Sequence, residues 1–306
     1  MEVKSFDFLK SQPENISKDK YFEITTLMKF VNTNYGNWKV IKKFNDTGYN
    51  GNIYKVKDDT DRNGLLKLPR IRSGDSEGTS KQSLITEIKN LQQVSGHQNI
   101  QLILDCDTCE DNPFLVYEEI EGLTLQDIVK QKTISPHQAI QATINLLETV
   151  KFCHNKNIVH RDIKPDNIIC RKNDIDDMIL IDFGLSTIAN SSSETDWNRI
   201  CCNRSLALPE LFLGSNKADP RSDISYVCGG VLFYMLYGFL PRIMIDGTGN
   251  PPYEIDKARQ ISSSWPRNIQ IAITDFLHKS FVSNICDRHQ TIKEAQNNLQ
   301  EILYKF

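Results

Sequence analysis

The chain has 306 residues, 39% hydrophobic and 25% charged, with a formal net charge of -3 at neutral pH. That length is too great for one compact core and suits two lobes with separate cores. The charge excludes a global basic field that would recruit nucleic acid or an anionic membrane.

Residues 1 to about 36 are polar and lysine-rich. Within them Phe22, Ile24, Leu27, Met28 and Val31 fall on one face of a predicted helix. That face is expected either to pack on the body of the chain or to act as a partner or dimer contact. The opening M-E-V-K-S-F-D-F-L-K lacks the continuous apolar core of a signal peptide, so the eight cysteines are expected to be reduced thiols in a cytoplasmic setting. Cys106 and Cys109 form a C-x-x-C without a second ligand pair at zinc spacing, and Cys201 and Cys202 are adjacent. No metal site is expected from either.

From Trp38 the pattern becomes strand-like: W-K-V-I-K-K-F, a glycine-containing turn over 45–51, then N-I-Y-K-V-K-D. G-L-L-K-L over 64–68 predicts a third strand, and the lysine inside that apolar run requires a partner. Glu87 suits the role, bordering the apolar face of Leu84, Ile88 and Leu91 in a helical stretch over 83–94. Two more strands are predicted over 100–104 and 114–120, separated by D-C-D-T-C-E-D-N, which reads as a solvated acidic turn. Pro136 to Asn155 is a long helical pattern.

Next comes H-R-D-I-K-P-D-N over 160–167, a loop between the apolar runs Ile158-Val159 and Ile168-Ile169-Cys170. It holds a carboxylate (Asp162), a cation two residues on (Lys164) and an amide five residues on (Asn167). That trio suits phosphoryl transfer. A carboxylate can accept the proton of an attacking hydroxyl, a lysine can balance charge on the transferred group, and an amide oxygen can bind Mg2+. A short buried strand, M-I-L-I over 178–181, then delivers Asp182-Phe183-Gly184. Downstream lie Ser191, Ser192, Ser193 and Thr195, then A-L-P-E over 207–210, R-S-D-I-S around Asp223, and D-R-H-Q-T around Arg288. The apolar run Ile224 to Pro241 is marginally long enough to cross a bilayer, but the family resemblance given next implies a buried central helix instead.

The octamer resembles the catalytic loop of eukaryotic-type protein kinases, and D-F-G some twenty residues on resembles their metal-binding motif. Residues 45–53 are similar to the family's glycine-rich loop, with Gly48, Gly51 and Ile53 matching and Asp46 standing where the first glycine belongs. The resemblance implies an α+β bilobal fold: a small antiparallel sheet lobe with one helix, and a larger, mainly helical lobe. It places an N-terminal extension at 1–37 and the kinase domain at 38–306, divided into lobes at 38–120 and 121–306. It implies ATP and Mg2+ as cofactors and a protein as substrate.

By the same resemblance, Asp162 acts as base with Lys164 and Asn167 beside it, and Asn167 and Asp182 hold Mg2+. Gly48, Gly51 and Ile53 cover the nucleotide, Lys67 anchors its phosphates through a pair with Glu87, and Ile169 lines the slot. The backbone of Glu118 and Ile120 bonds the adenine edge, with Tyr117 gating the back pocket. Arg161 is placed to meet a phosphate on the segment after D-F-G. Glu210 pairs with Arg288, and Asp223 caps backbone near the catalytic loop. Leu65 and Asn203 stand where the family usually has alanine and threonine, and Leu208 interrupts the A-P-E pattern. The expected activity is Ser/Thr protein phosphorylation. A nucleotide-binding scaffold without catalysis and a small-molecule phosphotransferase are the alternatives.

Overall fold

Strand register decides which side chains meet in the N-terminal part of the chain. The computed structural model describes residues 35–44, 52–69, 77–189, 206–212, 218–243 and 250–306. The expected helix over 21–31, Gly48, Gly51, Asp46, Cys201, Cys202, Asn203 and the serines and threonine at 191–195 lie outside the described residues. Strands β1 (Lys39–Lys43), β2 (Asn52–Lys57), β3 (Asn63–Leu68), β4 (Ile103–Asp107) and β5 (Phe114–Tyr117) form one sheet in the order β1-β2-β3-β5-β4. Every neighbouring pair in it is antiparallel.

Ile53 lies opposite Lys67, and Leu65 opposite Tyr117. Because side chains alternate across a strand, Ile53, Leu65, Leu115 and Tyr117 join one core, on the side taken by helix α1 (Glu77–Val94). Tyr54, Val56, Leu66, Leu68, Phe114 and Val116 form a second core with Tyr35 and Trp38 on the other face. This explains why β3 reads as a continuous apolar run rather than an alternating one: both of its faces are buried. The turn carrying Tyr35 and Trp38 needs Gly36, which has φ +59° and would put a Cβ 2.9 Å from Asp105 Oδ2. Trp38 Nε1 donates to that same oxygen at 3.0 Å. The acidic stretch is therefore not all turn: Asp105, Cys106 and Asp107 belong to β4.

The C-terminal part is built on helices. Helix α2 (Leu125–Gln131) follows β6 (Gly122–Thr124), and α3 (Pro136–Asn155) opens on Ser135, whose side chain accepts from Gln138 N. Proline in the first turn of α3 forfeits only an N–H that would have no partner there. Its buried residues, among them Ala139, Ile140, Thr143, Leu146, Leu147 and Val150, follow a helical spacing.

The run after Asp223 is a core element, as expected, but it is not one regular helix. It comprises α4 (Pro220–Ser225), a π-helical turn (Tyr226–Val231) and α5 (Leu232–Tyr237), ending at Gly238 with φ +71°. All these residues from Ser222 onward are buried, which accounts for an apolar surface all round. Among the described residues no helix is long and apolar enough to cross a membrane. The chain continues through α6 (Asp256–Ser262) and α7 (Arg267–Ser280) to α8 (Ile292–Leu303), which packs on α3.

Candidate active site

Two short strands bracket the central loop. β7 (Ile158–Val159) pairs with β10 (Thr187–Ile188), and β8 (Ile168–Arg171) pairs with both β6 and β9 (Met178–Leu180). Between them the backbone makes a tight excursion in which Arg161 takes φ +68°. Asp223, which is fully buried, holds that excursion: its Oδ2 accepts from His160 N and its Oδ1 from Arg161 N, both at 2.8 Å. His154 Nε2 lies 3.0 Å from the same Oδ2. Sequence reasoning anticipated Asp223 but missed His154, since nothing in a helix pattern marks which exposed-side residue turns inward at its last turn.

Asp162 is 5% exposed, and its Oδ2 takes two donors, Lys164 Nζ at 2.8 Å and Asn167 Nδ2 at 2.9 Å. Asn167 Nδ2 also donates to the Asp162 carbonyl at 2.8 Å. Within this cluster the hydrogen bonds fall on Asp162 Oδ2, the Asp162 carbonyl and Asn167 Nδ2, and neither Asp162 Oδ1 nor Asn167 Oδ1 is used by them. Burial raises the Asp162 carboxyl above its usual value, and the neighbouring Lys164 ammonium offsets only part of that.

The second cluster gathers three chain segments. Lys67 Nζ donates to Glu87 Oε1 at 2.6 Å and to Asp182 Oδ1 at 2.9 Å. One cation thus serves two carboxylates, Glu87 buried and Asp182 half-buried. Burial alone would raise Asp182, yet the Lys67 charge and hydrogen bond outweigh it and hold Asp182 below the usual carboxylate range. Glu87 stays raised by burial, with Lys67 opposing. Asp182 adopts φ +61°, and Phe183 after it is buried against His160, ring centroids 4.6 Å apart. Ile181 N donates to the Asn167 carbonyl at 3.0 Å, which locks the two clusters together. Asn90 of α1 donates to the Ser186 carbonyl at 2.9 Å, tying the helix to the segment after Gly184.

Ile53 and Leu65 belong to the core on the α1 side of the sheet, and Ile169, with Ile120 packed against it, belongs to a separate small cluster with Ile179 and Ile181. The Glu118 backbone is already engaged: its N–H donates to the Leu102 carbonyl at 3.0 Å, and its carbonyl accepts from Gln101 Nε2 at 3.2 Å. Among the described residues the Ile120 backbone has no such partner. Lys55 of β2 pairs with Glu119, which ties β2 to the segment after β5.

A family model described as Protein kinase domain matches residues 46–299. The chain belongs to the protein kinase family. It is 29% identical over 223 residues to a probable serine/threonine-protein kinase of Clostridium perfringens, covering 71% of this chain and 31% of that protein. To the serine/threonine-protein kinase PknB of Mycobacterium leprae it is 30% identical over 210 residues, 66% of this chain and 33% of the relative. To PrkC of Bacillus subtilis it is 27% identical over 208 residues, 67% and 31% of the two chains. This kinase chain therefore spans about a third of the length of these curated relatives.

Proposed function

We propose that this kinase domain transfers the γ-phosphoryl group of ATP to a serine or threonine hydroxyl of a protein. The observation that carries the reading is Lys67 held between Glu87 and Asp182, a preorganised charge where the sheet meets the segment after β9. In this reading Ile53, Leu65 and Ile169 take the adenine, and the Ile120 backbone supplies the free donor and acceptor for its edge. The Glu118 carbonyl retains a second lone pair for the same purpose.

The metal would be held by Asn167 Oδ1 and the Asp182 carboxylate, hard oxygen donors of the kind Mg2+ prefers. When bound, Mg2+ neutralises charge on the nucleotide phosphates. Asp162 Oδ1 accepts the proton as the substrate oxygen bonds to phosphorus and ADP departs. Burial makes that carboxyl a better proton acceptor than an exposed aspartate. Lys164 stays protonated beside Asp162 and balances charge on the transferred group. Arg161, half-buried and, among the described residues, with no hydrogen bond from its guanidinium, is available to a phosphate on the segment around Ser191 to Thr195.

The test is incubation with labelled ATP, Mg2+ and a generic protein acceptor, with Asp162→Asn as control. Transfer by the wild type and its loss in the variant, at nearly unchanged nucleotide affinity, is the expected result. Equal phosphate incorporation by both, or none by the wild type with any acceptor, overturns the reading in favour of a nucleotide-binding scaffold.

A further inference from the structure

Glu87 Oε1 receives a second hydrogen bond besides that of Lys67. The Tyr117 hydroxyl, at the end of β5, donates to it at 2.6 Å. Tyr117 is 2% exposed and Glu87 4%, so water does not compete for either partner. The register explains the convergence. Leu65 of β3 faces Tyr117 across the ladder, and Lys67 lies two residues further along β3, so its side chain emerges on the same face as Tyr117. Both side chains therefore reach α1 at one point, and both end on one oxygen.

Lys67 by itself is a divided tether, because Asp182 draws it toward the opposite lobe at 2.9 Å. A neutral phenol can hold the carboxylate without adding a second cation that would repel Lys67. Its ring is anchored by burial in the sheet, and the strand that carries it runs directly into residues 118–120. We propose that the Tyr117 hydroxyl is a positioning group for Lys67: it pins Glu87, and with it α1, against the sheet, so that the lysine stays extended between Glu87 and Asp182. The inference rests on the reading of Lys67 as phosphate anchor given above. It assigns to Tyr117 a task distinct from filling the back of the slot.

The experiment is Tyr117→Phe in the full chain, which removes one oxygen and keeps the ring. Two quantities are measured: kcat/KM for ATP, and amide hydrogen exchange across Glu77–Val94 with Pro136–Asn155 as internal reference. The loss of a hydrogen bond to a charged group is expected to lower kcat/KM by roughly tenfold or more, and to speed exchange in Glu77–Val94 by about the same factor. Exchange in Pro136–Asn155 stays as in the wild type. Unchanged exchange in Glu77–Val94 overturns the tie, and faster exchange with unchanged kcat/KM overturns the positioning role. A wild type that transfers no phosphate defeats the kinase reading instead, and the exchange result, which needs no catalysis, still decides whether Tyr117 holds the helix.

Discussion

Arg288 and Glu210 meet through two parallel hydrogen bonds, Nη1 to Oε1 at 2.9 Å and Nη2 to Oε2 at 2.8 Å. The pair joins the segment after Ala207 to a turn near the C-terminus, and Arg288 is 1% exposed. Its remaining donors serve the carbonyls of Val282 and Ser283 and the Ser225 hydroxyl. Ser222 Oγ donates to Glu210 from the first helix of the central run. Removing one partner of such a pair strands the other charge in a dry site, at a cost of roughly 3–5 kcal/mol. Arg288→Ala is therefore expected to lower Tm clearly, without nucleotide present. A melting curve superimposable on the wild type would show that the pair contributes nothing.

Lys67→Met is expected to reduce turnover by about a hundredfold or more, since a preorganised charge on the phosphates disappears. It also leaves Glu87, buried, and Asp182, half-buried, as two neighbouring carboxylates without their shared cation. At least one of them then takes up a proton near neutral pH. Steady-state kinetics together with a thermal melt at two pH values would check both effects. Wild-type turnover in this variant would remove Lys67 from the chemistry.

Gly184→Ala tests how tightly the second cluster is packed. A Cβ there would lie 3.2 Å from Asp182 Oδ1, 3.3 Å from Glu87 Oε2 and 3.6 Å from Lys67 Nζ. Charged groups held by one another cannot yield without lengthening their hydrogen bonds. We expect turnover to fall by about tenfold, equivalent to roughly 1.4 kcal/mol of transition-state stabilisation, with Tm little changed because Gly184 is exposed. Full activity would mean that the cluster tolerates displacement.

Asp223 carries a pH dependence of known sign. Burial favours its neutral form, but the hydrogen bond and charge of His154, then His160, more than offset this and place its carboxyl below its ordinary value of 3.8. A depressed folded-state value means that Asp223 stabilises the fold above the ordinary value and loses that contribution as pH falls below it. Asp223→Asn should therefore show a shallower loss of stability in acid than the wild type, and a lower Tm at neutral pH. Parallel acid-unfolding curves for the two proteins would remove Asp223 from the account.

The chemistry-bearing strings were legible in the chain itself. Asp162, Lys164 and Asn167 lie within one octamer, and Asp182-Phe183-Gly184 close an apolar strand, because local reach along the backbone dictates their spacing. The Pro136–Asn155 helix was equally plain, as its burial pattern, serine cap and proline all act within a few residues of one another. The pairing of Glu210 with Arg288 was expected from resemblance alone, since nothing local links residues so far apart.

Only the tertiary structure decided the rest, and in each case the cause is a partner distant in sequence. That Lys67 serves Asp182 as well as Glu87 depends on how the segment after β9 meets the sheet. That Tyr117 shares Glu87 depends on the β3–β5 register, which an apolar run buried on both faces does not reveal. The π-helical turn at Tyr226–Val231 lies within an element that is apolar all round, so hydrophobic periodicity has no polar face from which to read its phase. Periodicity reports which residues leave water. Which hydrogen-bond partners they then find is settled by fractions of an ångström between elements that the chain brings together last.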